Sequence, residues 1–342
     1  MKSISGVVAV LGIDLAKRVF ALHGVDAAGK TVLKQVIPRS AFNRVIAQLP
    51  PCLIGLEACS GAHEWARQFH AHGHTVKLIA PSFVTPYRKS GKNDDNDAEA
   101  ICEAVGRPNM RFVPVKTRDQ QALLSLHRAR QGFVEERTAL INRLRGLLAE
   151  FGFVFAQRHG GLREIPAAAE GLPALAKRAV DDLLDHLRQL NQRIASYDAE
   201  FQRLAKQDDA AKRIMTIPGV GPITALGMVA TLGNARDFKN GRQLAAWLGL
   251  TPKQHSSGGK SRLGGVTKRG DDYLRTLLVQ GARAAMQHAS RAEPTRLSRW
   301  VANLVARRGY HKANVALAAK NARIVWAILA RGGEFEAKAA AA

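Results

Sequence analysis

Residues 6 to 37 carry three apolar, β-branched runs, GVVAVLGID, VFALHGV and TVLKQVI, parted by Lys/Arg or by the turn signal DAAGK. Such runs bounded by turn residues predict a three-strand meander. Helical spacing follows near 40 to 48, then the apolar run CLIGLE, a helix over about 62 to 72, the strand-like TVKLIA, and a helix opening near Asp94. A meander followed by alternating helices and strands predicts a mixed sheet covered by helices.

From about 118 to 207 the period changes. Leu183, Leu187, Leu190, Ile194, Tyr197, Phe201 and Leu204 alternate steps of four and three, which is a heptad seam. An earlier helical stretch puts Leu140, Leu144, Leu147 and Phe151 on one face, and FAQRHGGLREIPAAAEG reads as the loop between the two. A helical hairpin or a dimerising coiled coil is expected. Residues 211 to 332 are helical with glycine-rich interruptions, and GEFEAKAAAA is expected to fray. The organisation expected is therefore 1–116 as an α/β unit, 117–210 as a helical coiled-coil segment, 211–332 as a mostly helical unit, and 333–342 as a disordered tail.

Charge narrows the function. The 342 residues carry a formal net charge of +23 with an ordinary 46% hydrophobic fraction, so the basicity belongs to a globular protein that attracts polyanions. Residues 251 to 320 hold fourteen Lys/Arg against three Asp/Glu, a net of +11, whereas residues 1 to 110 hold thirteen against nine, a net of +4. The C-terminal part is the stronger polyanion binder. With no apolar run of about 18 residues and no sustained basic amphipathic helix, no membrane role is expected. The opening MKSISGVVAVLGID ends in a carboxylate and reads as a buried strand, not an export signal. Cys52, Cys59 and Cys102 are odd in number and lack C-x-x-C spacing, which fits a reducing cytoplasm.

Against that background SGKNDDNDAEA is conspicuous. Its acids suit the start of a helix, where they cap free N–H groups and meet the positive end of the dipole. Asp94 and Asp97 also stand three apart and share a helix face, whereas Asp95 and Glu99 point elsewhere, toward solvent. Asp14 closes the first strand and Glu57 closes CLIGLE. Each of these two acids can simply lie exposed at its strand end. Together the four carboxylates form a hard-cation site suited to Mg²⁺ or Mn²⁺ and to phosphoryl chemistry, with Arg88, Lys89 and Lys92 beside it to hold phosphates.

The glycine-rich QHSSGGKSRLGG reads either as a flexible linker or as a phosphate-reacting loop, because Lys260, Arg262, Lys268 and Arg269 crowd its serines. His255, two residues from Ser257, is a conceivable base without fixed geometry. IPGVGPITA is similar to a helix-hairpin-helix turn in which Gly219 and Gly221 admit a DNA phosphate to a helix start. HAHGH, at 70 to 74, straddles a helix end and is expected to be solvated. Trp247, Trp300 and Trp326 fall in apolar patterns and are expected in the core. Arg307, Arg308 and Lys312 read as a backbone-contacting patch.

GIDLAK, LEACSGAHEWAR, KNDDNDAEAI, RFVPVKTRDQQALLSLHR, RTALINRLRGLLAEFG, IPGVGPITA and LAAWLGLTPKQHSSGGKSRLGGVTKRGDDYLRTLL run nearly end to end. In this order they resemble the DEDD transposases of insertion sequence family 110, especially its 1111 subgroup, which are related to Piv-type DNA invertases. The resemblance implies an RNase H-like, RuvC-like N-terminal domain whose metal-binding acids are Asp14, Glu57, Asp94 and Asp97. It also implies a C-terminal transposase domain with a nucleophilic serine, Ser257, whose neighbour Ser256 is the other candidate. The implied chemistry is strand cleavage through a phosphoserine intermediate assisted by the metal site, with the serine reaching it within one chain or across a dimer. Implied partners are donor and target DNA, an element-encoded guide RNA, and further copies in a homodimer or tetramer; the implied location is the bacterial cytoplasm, at the nucleoid. The rival readings are a metal-dependent structure-specific nuclease and a non-enzymatic nucleic-acid-binding protein.

Overall fold

The computed structural model describes residues 6–89, 91, 93–155, 164–233, 235–289 and 295–337. Two compact units divide the chain, Met1–Arg118 and Asp119–Ala342.

In the first unit the meander is β1 (Val10–Leu15), β2 (Val19–Val25) and β3 (Thr31–Pro38), all antiparallel. Then come α1 (Arg39–Ala47), β4 (Leu53–Glu57), α2 (Ala62–Ala71), β5 (Thr75–Ile79), α3 (Pro81–Val84), α4 (Asp94–Val105) and β6 (Phe112–Val113). The sheet order is β3-β2-β1-β4-β5-β6, with β4 parallel to β1 and to β5 and with β6 antiparallel at the edge. The mixed, helix-covered sheet expected from the pattern is present; two-residue β6 and four-residue α3 are too short to leave a periodic signal.

Strand alternation divides the side chains between two layers. Leu11, Ile13, Phe20, Leu22, Ile54, Leu56 and Leu78 pack with Phe42, Ile46, Ala66 and Phe69 of α1 and α2. On the opposite face Ile79 packs with Ile101, Ala104 and Val105 of α4, with Val10 and Leu53 against them. Gly12 and Gly55, paired in register, lie under that helix. A Cβ on Gly12 would fall 2.2 Å from the Ala98 carbonyl oxygen and 2.3 Å from the Cys102 nitrogen. The missing side chain is what lets α4 touch the sheet backbone.

The second unit holds α5 (Arg118–Ala149), α6 (Ile165–Ala169), α7 (Ala174–Gln207), α8 (Asp209–Met215), α9 (Pro222–Leu232), α10 (Gly241–Trp247), β7 (Pro252–Gln254), β8 (Leu263–Val266), α11 (Asp272–Ala289), α12 (Arg296–Arg308) and α13 (Tyr310–Arg331). On α7 the expected seam faces inward: Leu187, Leu190, Ile194 and Phe201 are buried, and Leu183, Tyr197 and Leu204 are half-buried against them. On α5 the buried row is Leu140, Leu144 and Leu148, whereas Leu147 and Phe151 are 39% and 46% exposed. A strict step of four keeps that row on the side of Ile165, Leu172, Val180 and Leu187, and Leu147 turns away. Phe133 meets Tyr197 ring to ring at 5.6 Å, so α5 and α7 run antiparallel. Part of the expected connecting loop is α6, anchored by buried Ile165 and Ala169, while its residues 156–163 lie outside the described residues.

Beyond Phe201, α7 enters a second core built on Leu226, Met228, Leu274, Leu278, Leu317 and Val325. Trp326 is buried there and donates from Nε1 to the Phe238 carbonyl at 3.0 Å; Trp247 and Trp300 pack partly buried around it. In the tail, the Phe335 N–H donates to Thr216 Oγ1 at 2.8 Å, and residues 338–342 lie outside the described residues. Among the described residues no helix is long and apolar enough to cross a membrane.

Candidate functional site

Asp14 and Glu57 are the next step of the register that pairs Ile13 with Leu56, two residues beyond Gly12 and Gly55 and on the same face of the sheet. They end two adjacent parallel strands beneath α4. The helix runs so that Cys102 reaches back to the Val10 carbonyl while Ala98 lies on Gly12. Its first turn therefore points toward the strand ends that carry Asp14 and Glu57. Cys59, just past β4, registers both acids: burial raises its thiol pKa first, and the charges of Glu57 and Asp14 raise it further.

The start of α4 is built as the sequence predicts. Asn93 caps it, accepting from the Asn96 N–H at 2.8 Å, and Asp94, Asp95 and Asp97 occupy the first turn. Ile101 and Val105 sit over Gly55, so Asp97, one turn before Ile101, lies on the β4 side of the helix. Asp95 and Glu99 are not free in solvent as expected but half-buried on the other side. Asp95 pairs with Lys34 at 3.3 Å, and Lys89 donates to Glu99 at 2.8 Å, a bond that lowers the pKa of Glu99. Cations of β3 and of the preceding loop reach the flank of α4, a tertiary event with no local signal.

Asp97 has a partner of its own. Arg88 Nε stands 2.5 Å from its Oδ1, both groups largely buried. The contact is an ion pair by distance, yet among the described residues neither atom has a hydrogen bond. Asp94 is exposed. The fold thus brings the four acids to one end of one sheet without closing them into a cluster: among the described residues no three His, Cys, Asp or Glu side chains are gathered closely enough to hold a metal ion. In chemistry the set fits a hard divalent cation, being all oxygen donors on adjacent elements and including a buried carboxylate oxygen without a hydrogen bond. Lys92 lies outside the described residues.

The serine segment is a β-hairpin, not a linker. β7 and β8 pair antiparallel, His255 N donates to the Arg262 carbonyl at 2.9 Å, and Ser257 bridges Lys260. Gly258 and Gly259 make the two-residue turn with φ of 54° and 75°, positive at both central positions as a type I′ turn requires. Sequence reading missed a usable signal here, since Gly-Gly between polar, strand-compatible flanks marks such a hairpin. Alternation sets His255, Ser257, Lys260 and Arg262 on one side, giving His255 the fixed relation that a loop would deny it. The two serines differ. Ser256 Oγ accepts from Gln254 Nε2 at 3.1 Å and from Arg262 N at 3.2 Å, while the exposed Ser257 hydroxyl makes no hydrogen bond among the described residues.

The other expected contacts lie in the second unit. Gly221 is exposed with open space around it at the start of α9, as a phosphate contact requires. Gly219 is turned inward: its Cβ would fall 2.2 Å from the Gly281 carbonyl oxygen, so its glycine serves close packing against α11. Arg307, Arg308 and Lys312 are exposed around the junction of α12 and α13, and Lys260, Arg262, Lys268 and Arg269 are exposed on or beside the hairpin. In HAHGH the expectation of solvated rings fails at His74, which is buried between the Cys52 N–H and the Ile46 carbonyl.

Comparison with known proteins identifies the family. Residues 11–153 match the transposase family model for the DEDD domain of IS110 elements, and residues 211–296 match the model described as transposase IS116/IS110/IS902 family. A probable family 20 transposase of Pseudomonas aeruginosa is 49% identical over 94% of this chain and 96% of its own length. The transposase for insertion sequence element IS1111A of Coxiella burnetii is 43% identical over 94% of this chain and 90% of its own. The transposase for IS1328 of Yersinia enterocolitica is 40% identical over 96% and 98%. A DEDD domain of this kind implies an RNase H-like fold, which the helix-covered mixed sheet with its acids at one end suits. With both family models matched in order and relatives aligned nearly end to end, the chain belongs to the IS110 family of insertion-sequence transposases.

Proposed function

We propose that this transposase cuts and rejoins DNA through a covalent bond to Ser257. The observation that carries the reading is the difference between the two serines: Ser256 is spent on holding the hairpin, whereas Ser257 is presented at the turn with Lys260 across from it and Arg262 on the same side. In the forward step Ser257 Oγ attacks phosphorus, the Oγ–P bond forms, and the bond from phosphorus to a sugar oxygen breaks. The hydroxyl proton ends on the departing sugar oxygen. A DNA hydroxyl later attacks the same phosphorus and returns the serine. Lys260 and Arg262 offset the charge that gathers on the phosphate. Asp14, Glu57, Asp94 and Asp97 are the residues that would hold Mg²⁺ or Mn²⁺, which when bound draws charge from a phosphate oxygen.

Around that chemistry, Arg88, Lys89 and Lys92 hold phosphates near the acids. Gly221, Lys268, Arg269, Arg307, Arg308 and Lys312 track nucleic-acid backbone. The resemblance to the family implies a guide RNA encoded by the element, and the net charge of +23 leaves room for that second polyanion besides DNA. The working form is a homodimer or tetramer in the bacterial cytoplasm, at the nucleoid. The test is to trap protein–DNA adducts from cells carrying the element's flanks. Ser257→Ala should abolish the adduct and Ser256→Ala should leave it; strand cutting that survives Ser257→Ala without an adduct makes the protein a hydrolytic nuclease. Sequencing the RNA that copurifies tests the guide, and RNA without element sequence removes it.

A further inference from the structure

Every side chain from Pro252 to Gly265 is exposed, so no packing along the hairpin fixes where it points. Its direction is set at the root. There the Thr267 N–H donates to the Thr251 carbonyl at 2.9 Å and the Lys268 N–H to the Gly249 carbonyl at 3.2 Å. The stems touch backbone to backbone: a Cβ on Gly249 would lie 2.2 Å from the Arg269 carbonyl oxygen, and one on Gly270 1.8 Å from that of Trp247. Lys268 adopts φ of 54°, a left-handed conformation that a non-glycine residue takes only when its surroundings impose it.

One side chain ties both stems. Arg275, in the first turn of α11, is 8% exposed, and its Nη1 donates to the Leu248 carbonyl at 3.1 Å and to the Arg269 carbonyl at 3.4 Å. Its Nη2 pairs with Asp272. Leu248, Leu250, Leu274 and Leu278 beneath it belong to the buried core, so the guanidinium joins the hairpin root to the rigid part of the unit. A buried cation is costly unless its donors are used, and here they are used on one carbonyl from each stem.

We propose that Arg275 is a positioning residue that aims Ser257. The inference rests on the reading of Ser257 as nucleophile. Six residues of extended chain separate Thr251 from Ser257, a reach of about 20 Å, so a tilt of about 10° at the root moves the hydroxyl by about 3 Å. Misplacement by about 1 Å is enough to cost a reaction about a hundredfold.

The experiment uses Arg275→Met and the milder Arg275→Lys in the full chain purified with its nucleic acid. Amide exchange is followed by mass spectrometry over residues 249–251 and 267–270, with α9 and α13 as internal references, beside the rate of adduct formation and the affinity for DNA. In both variants the root amides should exchange at least tenfold faster while the reference helices keep their protection. The adduct rate should fall about a hundredfold with DNA affinity within twofold. Lysine should not rescue, because its one ammonium nitrogen would have to hold both carbonyls and Asp272, which the guanidinium divides between Nη1 and Nη2. Unchanged root exchange in either variant, or a faster root with an adduct rate within twofold of the parent, overturns the proposal. Absence of an adduct in the unsubstituted protein defeats the serine reading instead, and root exchange then decides alone whether Arg275 holds the hairpin.

Discussion

Arg88 and Asp97 form an ion pair, Nε to Oδ1 at 2.5 Å, at the start of the helix that brings Asp94 and Asp97 to the ends of β1 and β4. An internal cation therefore sits on one of the acids assigned to a divalent ion. A guanidinium and a metal compete for the same oxygen, so removing the guanidinium should favour the metal. Arg88→Gln is expected to bind Mn²⁺ about tenfold more tightly in the absence of DNA, a difference of about 1.4 kcal/mol. Electron paramagnetic resonance titration of free Mn²⁺ measures this directly. Equal affinity in parent and variant would show that the pair has no bearing on the acid site.

Gly12 makes a sharper structural claim. Its added Cβ would strike backbone atoms of α4, the Ala98 oxygen and the Cys102 nitrogen, which cannot give way without moving the helix. At Gly55 the nearest atoms, at 2.9 Å and 3.0 Å, belong to the side chains of Val105 and Ile101. Gly12→Ala should therefore destabilise the first unit by more than the roughly 1–3 kcal/mol usual for an overpacked core, and Gly55→Ala by about that amount. Thermal unfolding followed by circular dichroism ranks them. The reverse order would mean that α4 is not seated on β1 as described.

The same pair of glycines marks how far the sequence could be read. Strands, long helices and the α7 seam announce themselves through period, and Asn93 with the first-turn acids announces the start of α4. Asp14, Glu57, Asp94 and Asp97 were legible as acids closing apolar runs or opening a helix. What period cannot report is which face of β1 carries α4, because that depends on two glycines approached by backbone from far along the chain. Nor does period report the pairing of Arg88 with Asp97, of Lys34 with Asp95, or of Arg275 with two carbonyls, which side-chain direction in the folded chain decides. Leu147 and Phe151 were misplaced for a smaller reason, since on a helix a step of three and a step of four diverge in direction and only the partner surface selects between them.

The serine hairpin depends on its turn. Gly258 and Gly259 meet nothing within 4 Å of an added Cβ, so the demand on them is conformational only. Gly258→Val should cost the turn about 1–2 kcal/mol by forcing a β-branched residue into the left-handed region, whereas Asn at the same position should be tolerated. Because the hairpin is exposed, the melting temperature of the whole chain should not change. A recombination assay in cells should lose at least tenfold for Gly258→Val and recover with Gly258→Asn. A Val variant as active as the parent would remove the turn from the mechanism.

A buried polar link in the second unit predicts a pH dependence that can be assigned to one side chain. His127 is 1% exposed, its Nδ1 lies 2.9 Å from the Tyr273 hydroxyl, and its ring packs on Phe201. Burial, with a smaller push from Arg130, lowers its pKa from 6.5 to about 4. Above pH 6.5 the ring is neutral whether the chain is folded or unfolded, so the full stability is present. Between pH 6.5 and about 4 only the unfolded chain takes up the proton, and stability falls toward a loss of about 3 kcal/mol; below about 4 the group contributes no further loss. Glu64 acts in a separate window. Hydrogen bonds, first from Arg67 and then from Gln68 and Arg118, hold its pKa down to about 2, so its contribution fades between about pH 4.5 and 2. Burial also lowers the pKa values of His23 and His74, so both add to the loss of stability on acidification, and a difference between parent and variant removes them. His127→Phe leaves the Tyr273 hydroxyl unpartnered at every pH, a cost of about 1–3 kcal/mol that does not vary with acidity. The expected result in urea unfolding is thus a variant less stable at pH 7.5 whose deficit shrinks or reverses by pH 4.5. A deficit constant across that range would mean that His127 takes up its proton in the folded chain.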